Sequence, residues 1–428
     1  MNATDGGLLL PEGSRLLHIG PHKTGTTSLQ SAFHVRRGDA AAQGVYYAGP
    51  NRQPMQAAHA ITGKPSPYAD GRTPPRSRWR DLVREVEGAG DNRVVISSEG
   101  FADADDEGIR TVVQDLGRER LHVVVTLRPL ASILPSQWQQ YVQGGMTLDY
   151  DAWLDAMFNQ PPGKVSPSFW VRHRHDALVK RWADGVGASN VTVIVADDSD
   201  RDRQLRLFEQ LTGLREGTLV PEADLSNRSL TLPEIETVRA FNLAFRAEGL
   251  GTQLHTKVMR FGAAEHLKRR TPCADEPGIE TPAWALDRST EVAREIVDGI
   301  RTSGVRVIGD VDSLATLASK GAAKAAQARA TPGEATPAAI SDATWAEVGA
   351  EAAVGILLAS GLARASDSGT GSDAAWPDGQ IGRAKAPPRA RVEPLELARI
   401  STPLLGLVVL RRLVGAALAK LPLPRRRS

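Results

Sequence analysis

The stretch RLLHIGPHKTGTTSLQSAFH, residues 15–34, joins an apolar run to a glycine-punctuated turn and then to a helical period. Arg15 to Gly20 reads as a short strand buried on both faces. Pro21-His22-Lys23-Thr24-Gly25 reads as the turn, and a helix opens at Thr26-Thr27-Ser28 and continues to Arg37. Glycine and small hydroxyl residues at a helix N-terminus make an anion cradle. Backbone N–H groups, side-chain hydroxyls and the positive end of the helix dipole converge on one point there. Lys23 adds a mobile positive charge. The plain alternative is a helix cap beside a surface lysine. An ATP-type P-loop, GxxxxGK[ST], places its lysine directly after the second glycine. Here Lys23 precedes Gly25 and position 18 holds His18, so the spacing argues against that motif.

Further along, Arg93–Ser98, Leu121–Leu127 and Val191–Ala196 repeat the pattern of short β-branched runs. Helical periods lie among them at Thr26–Arg37, Arg78–Glu87, Leu134–Gln143, Asp176–Asp184 and Arg203–Leu211. Strands alternating with helices predict an α/β domain with a mostly parallel central sheet flanked by helices. Ligands in such sheets bind beyond the carboxyl ends of the strands.

Pro21-His22-Lys23-Thr24-Gly25-Thr26-Thr27 after a short strand resembles the 5′-phosphosulfate loop of sulfotransferases that use 3′-phosphoadenosine 5′-phosphosulfate (PAPS). A second element agrees. The run 121–127 ends in Arg128-Pro129, and Ser136 follows eight residues after the arginine, the spacing with which that family binds the nucleotide 3′-phosphate. The resemblance spans about residues 14–312 and implies a phosphate cradle of Lys23, Thr24, Gly25, Thr26, Thr27 and Ser28, with Arg128 and Ser136 on the 3′-phosphate. Asn227-Arg228-Ser229-Leu230 is similar to a basic loop that closes over the nucleotide in relatives, but it lacks their basic residue–Gly pair, which makes Arg228 the weakest element; a solvated helix entry is the alternative there.

The implied activity is in-line transfer of a sulfuryl group to a hydroxyl or amine of a small-molecule, glycan or glycolipid acceptor, with no metal required. Lys23 would neutralise charge on the bridging oxygen. Glu99, at the end of the strand-like run 94–99, is the leading candidate for the base, and His59 is the second. His22 is expected to point away from the cradle. Arg172 to Asp176 reads as a solvated helix entry, with a hold on acceptor anions as the alternative; Trp79, Trp138 and Trp182 read as core, and Asp103, Asp105 and Asp106 lack the spacing of a calcium loop. Two other classes compete: a P-loop-type kinase or phosphotransferase, and a non-catalytic nucleotide-binding scaffold of the same fold.

Composition sets outer bounds. Lys plus Arg (52) nearly balances Asp plus Glu (50), so no nucleic-acid partner is implied. The lone Cys273 excludes an internal disulfide and a cysteine metal cluster. The first residues lack a signal-peptide pattern. No run of about 18 uncharged apolar residues occurs, so a cytoplasmic enzyme is expected. The composition shifts near residue 316. Residues 1–315 read as the catalytic domain and 316–392 as an Ala/Gly/Pro-rich linker holding one helix at about 341–363 with Ser341 as N-cap. Residues 393–428 form a basic, apolar tail with Arg411, Arg412, Lys420 and a terminal arginine run. That tail is expected either to lie in the interface of an anionic membrane, at the inner face, or to pack on the catalytic domain.

Overall fold

A computed structural model describes residues 7–66, 72–161, 164–197, 199–200, 202–222, 228–274, 276–316 and 340–361. These residues fall into two compact units, one of residues 7–232 and 277–316, the other of 233–276 and 340–361. The expected tail and most of the expected linker lie outside the described residues. Among the described residues, no helix is long and apolar enough to cross a membrane.

The first unit is an α/β structure built on a six-stranded parallel sheet: β1 (Arg15–His18), β2 (Val45–Tyr47), β3 (Arg93–Ser97), β4 (Leu121–Leu127), β5 (Val191–Val195) and β6 (Arg306–Ile308). Their order is β2-β3-β1-β4-β5-β6. The continuous apolar runs arise because both faces are covered. Leu17, Ile96, Val123, Val125 and Val193 face one layer, with Trp79, Leu82, Leu178 and Trp182. Their neighbours Leu16, Val95, Val124 and Ile194 face the other, with Leu29, Phe33, Phe208 and Leu211. Trp79 and Trp182 are core residues, as expected, and so is the fully buried Trp138.

The chain first builds outward from β1 to β2 and returns through β3, then crosses to β4 on the opposite side of β1. The carboxyl ends of β3, β1 and β4 therefore stand side by side at the point where the winding reverses, the place in open α/β sheets where a crevice forms.

The long strands lie within a residue or two of where the apolar runs place them. β2 and β6 are three residues each, too short for periodicity to mark. The helix expected from Leu134 begins at Leu130 and runs to Gln143 through Pro135. Proline there forfeits one main-chain bond, and burial of Leu130, Ile133, Leu134 and Trp138 outweighs that loss.

In the second unit, the helix Asp342–Ser360 forms with Ser341 as its cap, its Oγ accepting from the Thr344 N–H at 3.1 Å. It packs on residues 256–269 at very short range. A Cβ on Gly355 would lie 2.8 Å from Ala263 Cα, and one on Gly262 would lie 2.9 Å from the Gly355 carbonyl oxygen. Arg270 ties this unit together, donating to Glu234 at 3.3 Å, to Glu347 at 2.9 Å and to Glu276.

Candidate active site

The turn after β1 bends through three left-handed residues, Gly20 (φ 76°), Lys23 (φ 68°) and Gly25 (φ 87°). Glycine is required at 20 for space as well, since a Cβ would meet Glu99 Cβ at 3.0 Å and Thr26 Cγ2 at 3.3 Å. Gly25 is the N-cap of the helix Thr26–Val35, and a Cβ there would lie 2.8 Å from Gln204 Oε1. With no side chain at 25, the first N–H groups of the helix stay open. Lys23 holds a backbone conformation that costs a non-glycine residue about 1–2 kcal/mol, strain of the kind stored at functional turns.

Under the loop lies a closed polar network. The Thr24 hydroxyl donates to the Pro21 carbonyl at 2.7 Å and meets Thr126 Oγ1 at 2.9 Å. His18 bridges Ser97 Oγ at 2.8 Å and Thr126 Oγ1 at 3.1 Å. The network ties β1, β3 and β4 together beneath the turn. It also turns the Thr24 side chain inward, so Thr24 offers a phosphate its backbone, while Thr27 and Ser28 remain partly or fully exposed.

β3 delivers the acid–base candidates. A 3₁₀ turn, Glu99–Asp103, follows it, and Ser98 caps that turn by accepting from the Gly100 N–H at 3.3 Å. Glu99 accepts from Gln30 Nε2 at 3.0 Å and sits 4.0 Å from His22 Nδ1. His59, on the helix Met55–Thr62, packs against the same turn: a Cβ on Gly100 would be 3.3 Å from its Cδ2. Its Nδ1 is buried without a hydrogen-bond partner. Burial holds the His59 imidazole below its usual pKa, with Asp103 and Glu99 pulling against that and Arg172 adding to it, so the ring is neutral and able to accept a proton at neutral pH. Glu99 and His59 thus flank one turn beside the loop.

β4 delivers Arg128 at its carboxyl end, and the helix Leu130–Gln143 carries Ser136, whose hydroxyl donates to the Ile133 carbonyl at 3.0 Å. One helical step further, Gln139 accepts from the Leu230 N–H at 3.0 Å. That bond brings the segment bearing Arg228 to the helix bearing Ser136.

His22, expected to point away from the cradle, is mostly buried, with its Nδ1 4.0 Å from Glu99 Oε1. Its pKa lies well below the usual value because of burial first, then the nearby cations Arg172 and Lys23. Arg172 to His175 is not a solvated helix entry: His173 and His175 are buried, and Arg172 clamps Asp103 through two bonds, Nε to Oδ1 at 2.7 Å and Nη2 to Oδ2 at 2.5 Å. The charges were legible, but their burial depends on the turn after β3, far away in sequence. Gln30 joins the candidate site through its bond to Glu99, and no local pattern marks it; Asp103 and Arg172 stood out in the sequence only as a poor match to a calcium loop and as a helix entry that could hold acceptor anions.

Comparison with models of protein families, with curated proteins and with solved structures returned no match. Among the described residues, no group of three or more His, Cys, Asp or Glu side chains could hold a metal ion.

The buried imidazoles set a pH dependence of stability. Burial lowers His18 to about 3 and His122 and His175 to about 4, and holds His22 and His173 well below the usual value. A folded-state pKa below the unfolded one means that the unfolded chain binds more protons in acid. The stability is complete above about pH 6.5 and is lost as pH falls from there toward about 4 or 3. Each imidazole held neutral costs about 2 kcal/mol at pH 5. The carboxylates with lowered pKa, Asp155, Asp176 and Asp197, start below this window. The urea midpoint is expected to drop clearly between pH 7.5 and 5.0, and a flat or rising midpoint would contradict this account.

Proposed function

We propose that this chain is a PAPS-dependent sulfotransferase acting on a hydroxyl- or amine-bearing acceptor. The observation that carries the reading is the juxtaposition at three adjacent strand ends: the Lys23–Ser28 cradle after β1, Arg128 with Ser136 after β4, and Glu99 after β3. The cradle suits a phosphate group, with an open helix N-terminus, a glycine N-cap and a lysine in the turn. The loop spacing speaks against an ATP-type site. An arginine and a serine eight residues apart supply donors for a second phosphate at a separate position, which suits a nucleotide phosphorylated at both ends.

PAPS, when bound, supplies a sulfuryl group activated by its attachment to a phosphate. The chain's own part is positioning and charge. The N–H groups of the loop and the Thr27 and Ser28 hydroxyls hold the 5′-phosphate as preorganised donors. The Lys23 ammonium meets the negative charge that grows on the bridging oxygen. Glu99 accepts the acceptor's proton, with Gln30 fixing the carboxylate by its 3.0 Å bond. His59 is the second group able to take a proton at the same turn.

The test is calorimetric titration with adenosine 3′,5′-bisphosphate (PAP) against ADP. PAP is expected to bind and ADP to bind far more weakly; the reverse order would point to a phosphotransferase. Arg128→Ala removes a charge-assisted contact to the 3′-phosphate, and PAP affinity is expected to fall about 10- to 100-fold. Equal PAP affinity in wild type and Arg128→Ala would remove the 3′-phosphate assignment.

A further inference from the structure

The Arg172–Asp103 pair has a geometry beyond what structure alone requires. Asp103 is the last residue of the 3₁₀ turn that begins at Glu99, so the clamp and the candidate base share one short, rigid element. A 3₁₀ turn rises about 2 Å per residue, which separates the backbone positions of Glu99 and Asp103 by about 8 Å along the turn. His59 packs against Gly100 between them. Asp103 is almost fully enclosed, with 2% of its side chain exposed, whereas Arg172 keeps 15%, as much as Glu99. The accessible part of the pair belongs to Arg172. Its bonds to Asp103 use Nε and Nη2, so the Nη1 edge has no part in the clamp.

In-line transfer places the moving group between the leaving phosphate oxygen and the attacking acceptor oxygen. The loop bearing His22 and Lys23 marks the first position, and Glu99 and His59 mark the second. Arg172 stands close enough for its charge to act on His22, His59 and Glu99 alike. A guanidinium fixed in one orientation by a bidentate carboxylate on the turn that carries the candidate base has the charge and planar donor geometry that match the negative oxygens of a sulfuryl group.

We propose that the Arg172 guanidinium, held by Asp103 as its positioning residue, binds the oxygens of the sulfuryl group being transferred. The proposal rests on the sulfotransferase reading. In the reaction the sulfur–oxygen bond to the donor phosphate breaks, the bond to the acceptor oxygen forms, and the acceptor proton passes to Glu99. Arg172 exchanges no proton and no redox change occurs.

A readout independent of turnover is the ratio of PAPS to PAP affinity, measured by calorimetry on the full chain. The two ligands differ by the sulfuryl group alone. In Arg172→Met the preference for PAPS is expected to fall about 10- to 100-fold while PAP affinity changes by less than about threefold. Asp103→Asn should lower the same ratio to an intermediate value, because the guanidinium remains but loses its orientation. If Arg172→Met fails to fold, with Asp103 left charged and buried, the charge-free pair Arg172→Met/Asp103→Leu carries the test. An unchanged ratio, an equal loss of PAP affinity, or a wild type that does not prefer PAPS overturns the role of Arg172. Failure of wild type to bind either nucleotide would instead overturn the sulfotransferase reading itself.

Discussion

Lys23→Ala is expected to reduce sulfuryl transfer by about 10²–10³-fold while leaving PAP binding largely intact. The ammonium is assigned to charge that grows on the bridging oxygen as the sulfur departs, so its removal acts on the transition state more than on the bound ground state. Residue 23 sits at φ 68°, so substitution also touches the backbone. Lys23→Gly separates the two effects. Glycine accepts the left-handed conformation without strain and lacks the amine. If the amine matters, Lys23→Gly and Lys23→Ala lose turnover alike, and Lys23→Gly folds at least as stably as wild type. The measurement is release of labelled sulfate from PAPS to a cell-extract acceptor under single-turnover conditions, beside PAP calorimetry. Intact turnover with weaker apparent donor affinity would reduce Lys23 to a ground-state ligand.

Glu99→Gln should lower turnover by about 10²–10⁴-fold, again with PAP affinity retained. The substitution keeps volume and can still accept from Gln30 through its amide oxygen. The backbone of the turn is fixed independently by the Ser98 cap. What disappears is the basic oxygen. Near-normal turnover in Glu99→Gln would move the base to His59, on the opposite side of the same turn, and His59→Gln would then show the large loss. A loss in both variants, with each additive on the other, would assign one of them to orientation of the acceptor.

The sequence by itself determined the class of fold and the loop. A run buried on both faces must be continuously apolar, and that signal is local, so β1, β3, β4 and β5 could be read from it. The cradle is likewise contiguous: Gly20, Lys23, Gly25 and the hydroxyls at the helix opening follow one another in the chain. Arg128 and Ser136 were singled out only by the family resemblance, through the eight residues that separate them. Tertiary structure alone decided what surrounds the loop. Whether the loop and Glu99 stand side by side depends on the order of β3, β1 and β4, which no local pattern encodes. The burial of Arg172 follows from Asp103, at the end of a turn about seventy positions earlier. His22 comes within 4.0 Å of Glu99 because Gly20, lacking a Cβ, lets the chain run close beside Glu99. The Thr24 hydroxyl turns inward because the Pro21 carbonyl accepts its proton and Thr126, on β4, pairs with its oxygen. The helix Asp342–Ser360 shows both sides: its cap is written in Ser341 and Thr344, but the close contact of Gly355 with Ala263 exists only because two distant segments lack the atoms that would keep them apart.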